Sequence, residues 1–330
     1  MEEIKKLNLS NETNRLKLEN FYKSQEIKPD AFDEAAVLMD NEKIIAASAR
    51  RGCLLLGFVI DKSYQGEGIL DLLLSFWIKE TFSKTDTLFI FTKPEYSKKF
   101  QNNGFKELAS TEKSAFLIRQ KISEQQKMPL QKGKIGAAVI HANPFTLGHL
   151  HLIKKSKEEV DYLYVFLLSS NYSLPFELRL KMAENSLKNI NGVELRSGGF
   201  LIISREIFPS YFLKEQTLIN EEHAKIDALV FKNHIAKNLS ITQRFLGEEN
   251  FDPSTALYNK KLLEILPPEI SVKIFPRIKV SEKEISASNV RKAFLSGDFE
   301  TVKNLVPQGT LSVLLENSSE IKKHWGNKLT

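Results

Sequence analysis

The sequence predicts an α/β protein of two domains, a mixed-sheet domain followed by a doubly wound parallel sheet. Three observations point there. At 330 residues the chain is long enough for two cores of ordinary size. The stretch 121–134, with Gln125, Gln126, Pro129 and Gly133, is polar and without periodicity, and reads as a linker. The rhythm of apolar segments then changes across that linker, from a mixed order of elements to regular strand–helix alternation.

Before the linker, in residues 1–120, strand-like runs are expected at Ala35–Met39, Lys43–Ala49 and Cys53–Ile60. A helix is expected from Glu67 to Phe82, with Leu70, Leu73, Leu74 and Trp77 on one face. A strand at Thr87–Thr92, a helix around Tyr96–Asn102 and strands at Phe105–Leu108 and Ala115–Arg119 complete this domain. After the linker, in residues 135–330, strands are expected at Ile135–His141, Tyr162–Leu168, Leu201–Ser204, Asp227–Phe231, Ile241–Leu246 and Ser271–Phe275. Helices fall between them, at Gly148–Glu159, Phe176–Lys188, Glu221–Ile226 and Ala256–Leu266.

Composition narrows the class. The chain is 42% hydrophobic and 27% charged, ordinary for a globular protein, and its net charge of +6 is spread along the sequence. That surplus suits a polyanionic small ligand, and no nucleic-acid-binding motif accompanies it. Cys53 is the one cysteine, which excludes an intrachain disulfide and any multi-cysteine metal site. The charged start Met1–Lys6 has no apolar signal core, and no stretch approaches the roughly 20 apolar residues of a membrane span. A soluble, cytoplasmic protein without a membrane or nucleic-acid partner is expected, and no metal-ligand cluster is picked out.

Two constellations carry chemistry. The apolar strand Ile135–Ile140 runs directly into His141-Ala142-Asn143-Pro144-Phe145-Thr146-Leu147-Gly148-His149, after which helical spacing begins. This puts the loop at the carboxyl end of the first strand of an open sheet, where such sheets bind ligands. The unpaired N–H groups of the following helix favour phosphate. Gly148 allows close backbone approach, and Thr146 and His149 can donate hydrogen bonds. The second constellation, Ile285-Ser286-Ala287-Ser288-Asn289-Val290-Arg291, opens a helix that carries Val290, Ala293 and Phe294. Ser288 suits its N-cap, and two hydroxyls with the Arg291 guanidinium make a second phosphate clamp.

Together the two runs resemble the HxGH-type nucleotidyltransferase superfamily, with Thr146 where many members carry a first histidine. The resemblance implies a Rossmann-like domain that uses ATP. A closer one is to the citrate lyase ligase family. It rests on Asn143–His149, Ile203-Ser204-Arg205, Phe208-Pro209-Ser210-Tyr211-Phe212-Leu213-Lys214, Phe245-Leu246-Gly247-Glu248, Ile265-Leu266-Pro267-Pro268 and Ile285–Arg291, and spans residues 135–306. It implies a ligase that uses ATP and acetate to acetylate the thiol of the prosthetic group on the acyl-carrier subunit of citrate lyase. The reaction passes through acetyl-adenylate and releases AMP and diphosphate.

On this resemblance Thr146, His149 and Arg291 are the expected catalytic residues. Asn143, Pro144, Phe145, Gly148, Gly247, Glu248, Ile285, Ser286 and Ser288 are expected at the nucleotide, which carries Mg2+. Arg205 and Lys214 are expected at phosphate or carrier. The chemistry is coherent with these residues. Acetate, with a pKa of about 4, is ionised at neutral pH, so its attack on phosphorus needs alignment and charge neutralisation but no general base.

In the first domain, Phe58-Val59-Ile60-Asp61-Lys62-Ser63-Tyr64-Gln65-Gly66-Glu67-Gly68-Ile69-Leu70 resembles the pyrophosphate-binding strand–loop–helix of GNAT acetyltransferases, with Leu70 in place of the final small residue. Phe100-Gln101-Asn102-Asn103-Gly104-Phe105 resembles a later element of that fold. The resemblance implies a GNAT-like domain whose Val59, Gln65, Gly66, Glu67 and Gly68 hold the CoA-like arm of the carrier. Three alternatives stay open at this level: an adenylyltransferase of coenzyme biosynthesis, an acetyl-CoA-dependent N-acetyltransferase, and a nucleotide-sensing regulator.

Overall fold

The computed structural model describes residues 3–121, 131–169, 174–205, 207–209, 211–213, 215–249, 252–280 and 283–326. The chain divides into two compact units, residues 1–127 with 207–226, and residues 128–206 with 227–330. A single boundary within 121–134 is therefore not the whole division, since the chain passes between units three times. Most of that expected linker, 122–130, lies outside the described residues.

The first unit holds β1 (Lys5–Lys6), α1 (Glu12–Ser24), β2 (Glu34–Asp40), β3 (Lys43–Arg51), β4 (Leu54–Ile60), α2 (Ile69–Phe82), β5 (Thr87–Thr92), α3 (Pro94–Asn102), β6 (Lys106–Ser110) and β7 (Ala115–Gln120). Its sheet runs β1-β2-β3-β4-β5-β7-β6 and is mixed: only β4 and β5 are parallel. The expected strands are present within a residue or two. Helix α1 was not anticipated, although its signals are local: Asn11 caps the Asn14 N–H, and Leu18, Phe21 and Tyr22 share a buried face. The parallel pair β4–β5 is registered only at Leu54–Phe89 and Leu55–Ile90, so the strands part beyond Leu55.

Residues 207–226 are held in this unit by apolar and polar contacts alike. The Phe208 ring meets Phe91 edge-on at 5.0 Å. Glu222, 1% exposed, accepts hydrogen bonds from the hydroxyls of Thr111 and Ser114 and pairs with Lys225 at 3.2 Å. A buried carboxylate left without such partners would be costly, so this segment is fixed by charge as well as by packing.

The second unit contains β8 (Ile135–Ile140), α4 (Leu147–Glu158), β9 (Tyr162–Leu167), α5 (Phe176–Leu187) and β10 (Val193–Ser197). Helix α6 (Gln216–Val230) has its last four residues here and continues through a π-helical stretch, Phe231–Ala236, into α7 (Lys237–Leu239). Then come β11 (Gln243–Gly247), α8 (Pro253–Ile265), β12 (Ser271–Phe275), the short pair β13 (Lys279–Val280) and β14 (Lys283–Glu284), and four helices. These are α9 (Ala287–Ser296), α10 (Phe299–Leu305), α11 (Gln308–Glu316) and α12 (Ser318–Gly326). All five main strands are parallel, in the order β10-β9-β8-β11-β12. Ala138, Val165 and Phe245 bury one face of this sheet, and Ala137, Tyr164 and Leu246 the other. Both faces are covered, as a doubly wound sheet requires.

Two expected strands are absent. Asp227–Phe231 is the end of α6 and the start of the π-helical stretch, because a short apolar run does not by itself distinguish a buried strand from a buried helix. Leu201–Ser204 is a turn, and the strand of that region is Val193–Ser197 instead. Asp227 accounts for the second. Its carboxylate accepts the Ile203 N–H at 2.8 Å and the Tyr258 hydroxyl at 2.6 Å, taking from Ile203 the hydrogen bond a strand would use.

The four C-terminal helices pack on the α4 side of the sheet and reach the loop after β8. Trp325, 2% exposed, packs edge-on against Phe294 at 5.5 Å and donates its indole N–H to Asn143 Oδ1 at 3.2 Å. Replacing Trp325 by Phe keeps most of the apolar contact and strands a buried acceptor. A loss of about 1–3 kcal/mol in unfolding free energy is expected. Trp325→Ala should cost about 3–5 kcal/mol. Denaturant unfolding measures both, and a Trp325→Phe protein as stable as the original would mean that the Asn143 bond carries no stability.

Candidate active site

The strand order of the second unit places its switch point between β8 and β11, where ligands bind beyond the carboxyl ends of the strands. A cleft of about 340 Å3 lies there. It is lined from the end of β8 by His141, from α4 by Thr146, Gly148 and His149, and from the end of β11 by Gly247, Glu248 and Glu249. Arg277, after β12, and Ile285, Ser286 and Ala287, at the start of α9, close the remaining side. The two motifs singled out in the sequence, 148 residues apart between Asn143 and Arg291, thus meet at one site.

Both helices begin in the same way. A buried apolar residue precedes the cap, Phe145 before α4 and Ile285 before α9, and packs in the core with the helix's first turn. The cap that follows is a hydroxyl. Thr146 Oγ1 accepts the His149 N–H at 3.4 Å, and Ser286 Oγ accepts the Asn289 N–H at 3.1 Å. Ser286, rather than Ser288, is therefore the cap of α9. The buried Ile285 fixes the chain one step before it, and Ser288 is left exposed in the first turn outside the cleft.

His149 is tied back to its own cap. Its Nδ1 accepts the Thr146 N–H at 3.0 Å and lies 2.9 Å from Thr146 Oγ1. An accepting Nδ1 puts the ring proton on Nε2, so His149 is a neutral imidazole with one N–H to offer. Burial pushes its pKa down from 6.5 to about 4, and the nearby charges of His141 and Arg277 push the same way. Thr146, 2% exposed, spends its hydroxyl on this arrangement and positions the imidazole.

The remaining expected residues divide by place. Asn143, Pro144 and Phe145 are buried beneath the loop and do not line the cleft. Phe145 is 0% exposed, and Asn143 is held by Trp325. Arg291 is half-buried outside the cleft lining, and its Nη1 donates to the Asn143 carbonyl at 2.7 Å. A Cβ on Gly148 would lie 3.4 Å from Thr146 Oγ1 and 3.8 Å from the Ile285 carbonyl, so α4 abuts the second motif directly. Arg205 is exposed, with its charge felt by Asp252, and Lys214 lies outside the described residues. Among the described residues no group of three or more His, Cys, Asp or Glu side chains could hold a metal, and no helix is long and apolar enough to cross a membrane.

Sequence reasoning missed two arginines. Arg179, fully buried on α5, donates to the carbonyls of His141 at 2.7 Å, Leu168 at 3.0 Å and Leu174 at 3.2 Å. Nothing in its local pattern separates it from the other charged residues of that helix. Arg277 donates Nε–H to the Glu248 carbonyl at 2.8 Å and pairs through Nη2 with Glu249. Its signal was its place, two residues past the end of a parallel strand.

In the first unit, Gly66 and Gly68 have φ of +93° and +72°, a conformation that favours glycine, and Gly68 precedes α2 with no side-chain cap. Gln65 and Glu67 are exposed beside them. Val59 is 7% exposed and packs with Leu18 and Tyr22, so its side chain belongs to the core.

A protein-family model for the citrate lyase ligase C-terminal domain matches residues 135–314, more than half of the chain. The chain belongs to the citrate lyase ligase family. Relatives named as citrate (pro-3S)-lyase ligases are similar over most of its length. The Haemophilus influenzae protein is 34% identical over 83% of this chain and 87% of its own. The Klebsiella pneumoniae protein is 33% identical over 93% and 94%, and the Escherichia coli protein 35% identical over 85% of each. This ligase is accordingly an enzyme, and its switch-point cleft lies wholly within the residues that the family model matches.

The protonation state of His149 has a measurable consequence. Unfolded, the imidazole takes up a proton near 6.5; folded, only near 4. Between those values the unfolded chain binds more protons, so stability falls as pH drops from 6.5 to about 4 and is recovered above 6.5. His149→Gln should flatten that part of the pH–stability curve. Equal slopes for the two proteins would show that His149 is not held neutral.

Proposed function

We propose that this ligase joins acetate to the α-phosphorus of ATP in the switch-point cleft and then passes the acetyl group to the thiol of the citrate lyase acyl carrier. The supporting observation is His149: neutral, fixed through Nδ1, and lining the cleft with a single Nε2 proton. Such a group is a hydrogen-bond donor through the working pH range and a poor base. Acetate, already ionised, asks for a donor and needs no base.

In the first step an acetate oxygen bonds to phosphorus as the bond to pyrophosphate breaks. Charge gathers on the phosphate oxygens and the departing pyrophosphate. The His149 N–H and the positive N-terminal ends of α4 and α9 face that charge, and Mg2+ enters with ATP as part of the substrate. In the second step the carrier sulfur bonds to the acetyl carbon, AMP leaves, and the thiol proton passes to water.

ATP–pyrophosphate exchange tests the first step without the carrier. Exchange that depends on acetate is expected. Exchange that ignores acetate but responds to a phosphopantetheine-like acceptor would replace this reading by the coenzyme adenylyltransferase. His149→Ala should lower acetate-dependent exchange about 100- to 1000-fold, the usual cost of one transition-state donor.

The first unit has a specific role in this scheme. The Gln65–Gly68 turn leads into the uncapped start of α2, and its exposed backbone suits the pyrophosphate of the carrier's CoA-like arm. Gly66→Val and Gly68→Val, each forced into a φ that a branched side chain resists, should raise the KM for carrier and leave exchange unchanged. An unchanged carrier KM in both variants would remove the arm from this loop.

A further inference from the structure

Gly247 ends β11 in the wall of the cleft, and neither the backbone nor the packing requires a glycine there. Its φ lies outside the left-handed region, and a Cβ built on it would meet no atom of the described residues within 4 Å. Gly148, also in the lining, differs, since its added Cβ would lie 3.4 Å from Thr146 Oγ1. A side chain at 247 would fill open cleft. The missing one therefore leaves room for a ligand that approaches the backbone closely.

The backbone around Gly247 is fixed by the protein itself. Its carbonyl accepts a hydrogen bond from Asn259 Nδ2 at 3.1 Å, and Asn259, on α8, is 8% exposed. The Glu248 N–H donates to the Phe275 carbonyl at 2.8 Å, and the Glu248 carbonyl accepts Arg277 Nε–H at the same distance. Glu249 is paired with Arg277. What this wall still offers is the Glu248 carboxylate. It is exposed, lines the cleft, and has no hydrogen-bond or ion-pair partner among the described residues.

A carboxylate repels a triphosphate, whose charge the N-terminal ends of α4 and α9 attract. The uncharged part of ATP is its nucleoside, and the two ribose hydroxyls are donors matched to two carboxylate oxygens. In open parallel sheets an acidic side chain beyond a strand end can meet ribose in this way. We propose that the wall formed by Gly247 and Glu248 receives the nucleoside of ATP: the Glu248 carboxylate accepts the ribose hydroxyls, Gly247 leaves them room, and Asn259 is the positioning residue that holds the wall. The proposal rests on the nucleotide reading of the cleft given above, and adds which end of ATP lies at β11.

Titration calorimetry with MgATP, its 2′,3′-dideoxy analogue and magnesium triphosphate separates the sugar contact from the phosphates. The unaltered protein should bind MgATP about tenfold to a hundredfold more tightly than the dideoxy analogue, the range for a hydrogen bond to a charged group. Glu248→Ala should abolish that preference and leave inorganic triphosphate within about twofold. Gly247→Ala should weaken both nucleotides about tenfold and spare triphosphate. Its melting temperature should match the unaltered protein, because nothing described lies within 4 Å of the added methyl. Asn259→Ala should raise the KM for ATP in pyrophosphate exchange but not the KM for acetate, a split that a general loss of stability does not produce. The proposal is overturned if the unaltered protein binds MgATP and the dideoxy analogue equally, or if Glu248→Ala keeps the preference. It is overturned equally by a Gly247→Ala protein that binds MgATP normally, and an equal rise in both KM values removes Asn259 from its role. Absence of MgATP binding by the unaltered protein would instead take down the nucleotide reading itself, and this proposal with it.

Discussion

Everything at the cleft depends on two arginine–carbonyl hydrogen bonds either side of Ala142. That residue, fully buried, has φ of +51°, a conformation an alanine adopts only when its surroundings enforce it. Arg179 from α5 holds the carbonyl before it, and Arg291 from α9 holds the carbonyl after it, each at 2.7 Å. Their guanidiniums are charged donors in low-dielectric surroundings, where such bonds are stronger than in water. The chain thereby turns sharply off the end of β8, and Thr146 arrives where it can cap α4.

From that turn the electrostatics of the site follow. Capping through Thr146 consumes the lone pair of His149 Nδ1, which leaves a neutral ring and a proton on Nε2. The second helix is set by the same device, a buried apolar residue and a serine cap, so two helix N-termini converge on one cleft without a charged side chain at either cap. Positive potential from backbone dipoles is thus built into the fold. Among the described residues that line the cleft, Arg277 is the one lysine or arginine, and it is paired with Glu249.

Much of this was legible in the sequence because its causes are local. Strand β8 followed by Thr146-Leu147-Gly148-His149 announces loop, cap and helix in order, and the helix start at 285–291 was legible too, although its cap is Ser286 and not the expected Ser288. The two motifs meet at the cleft, but not all of their residues line it. Asn143, Phe145 and Arg291 support the loop from beneath, and only long-range partners such as Trp325, 182 positions away, reveal that. Arg179 acts at a distance in sequence from either motif, so no spacing rule points to it. The expected strand at 201–204 is absent for a related reason: Asp227 takes the N–H of Ile203, and a tertiary hydrogen bond overrides a weak local preference.

The return of residues 207–226 to the first unit has a bearing on how the gene can be divided. A product ending at residue 127 would present Phe91 without Phe208, and the hydroxyls of Thr111 and Ser114 without the carboxylate they bond. A product starting at 128 would carry the same segment with its apolar residues and the buried Glu222 deprived of their setting. Neither reading frame encodes a complete folding unit. The two parts are interlaced in the chain itself, so a single crossover cannot exchange one whole unit for a foreign module.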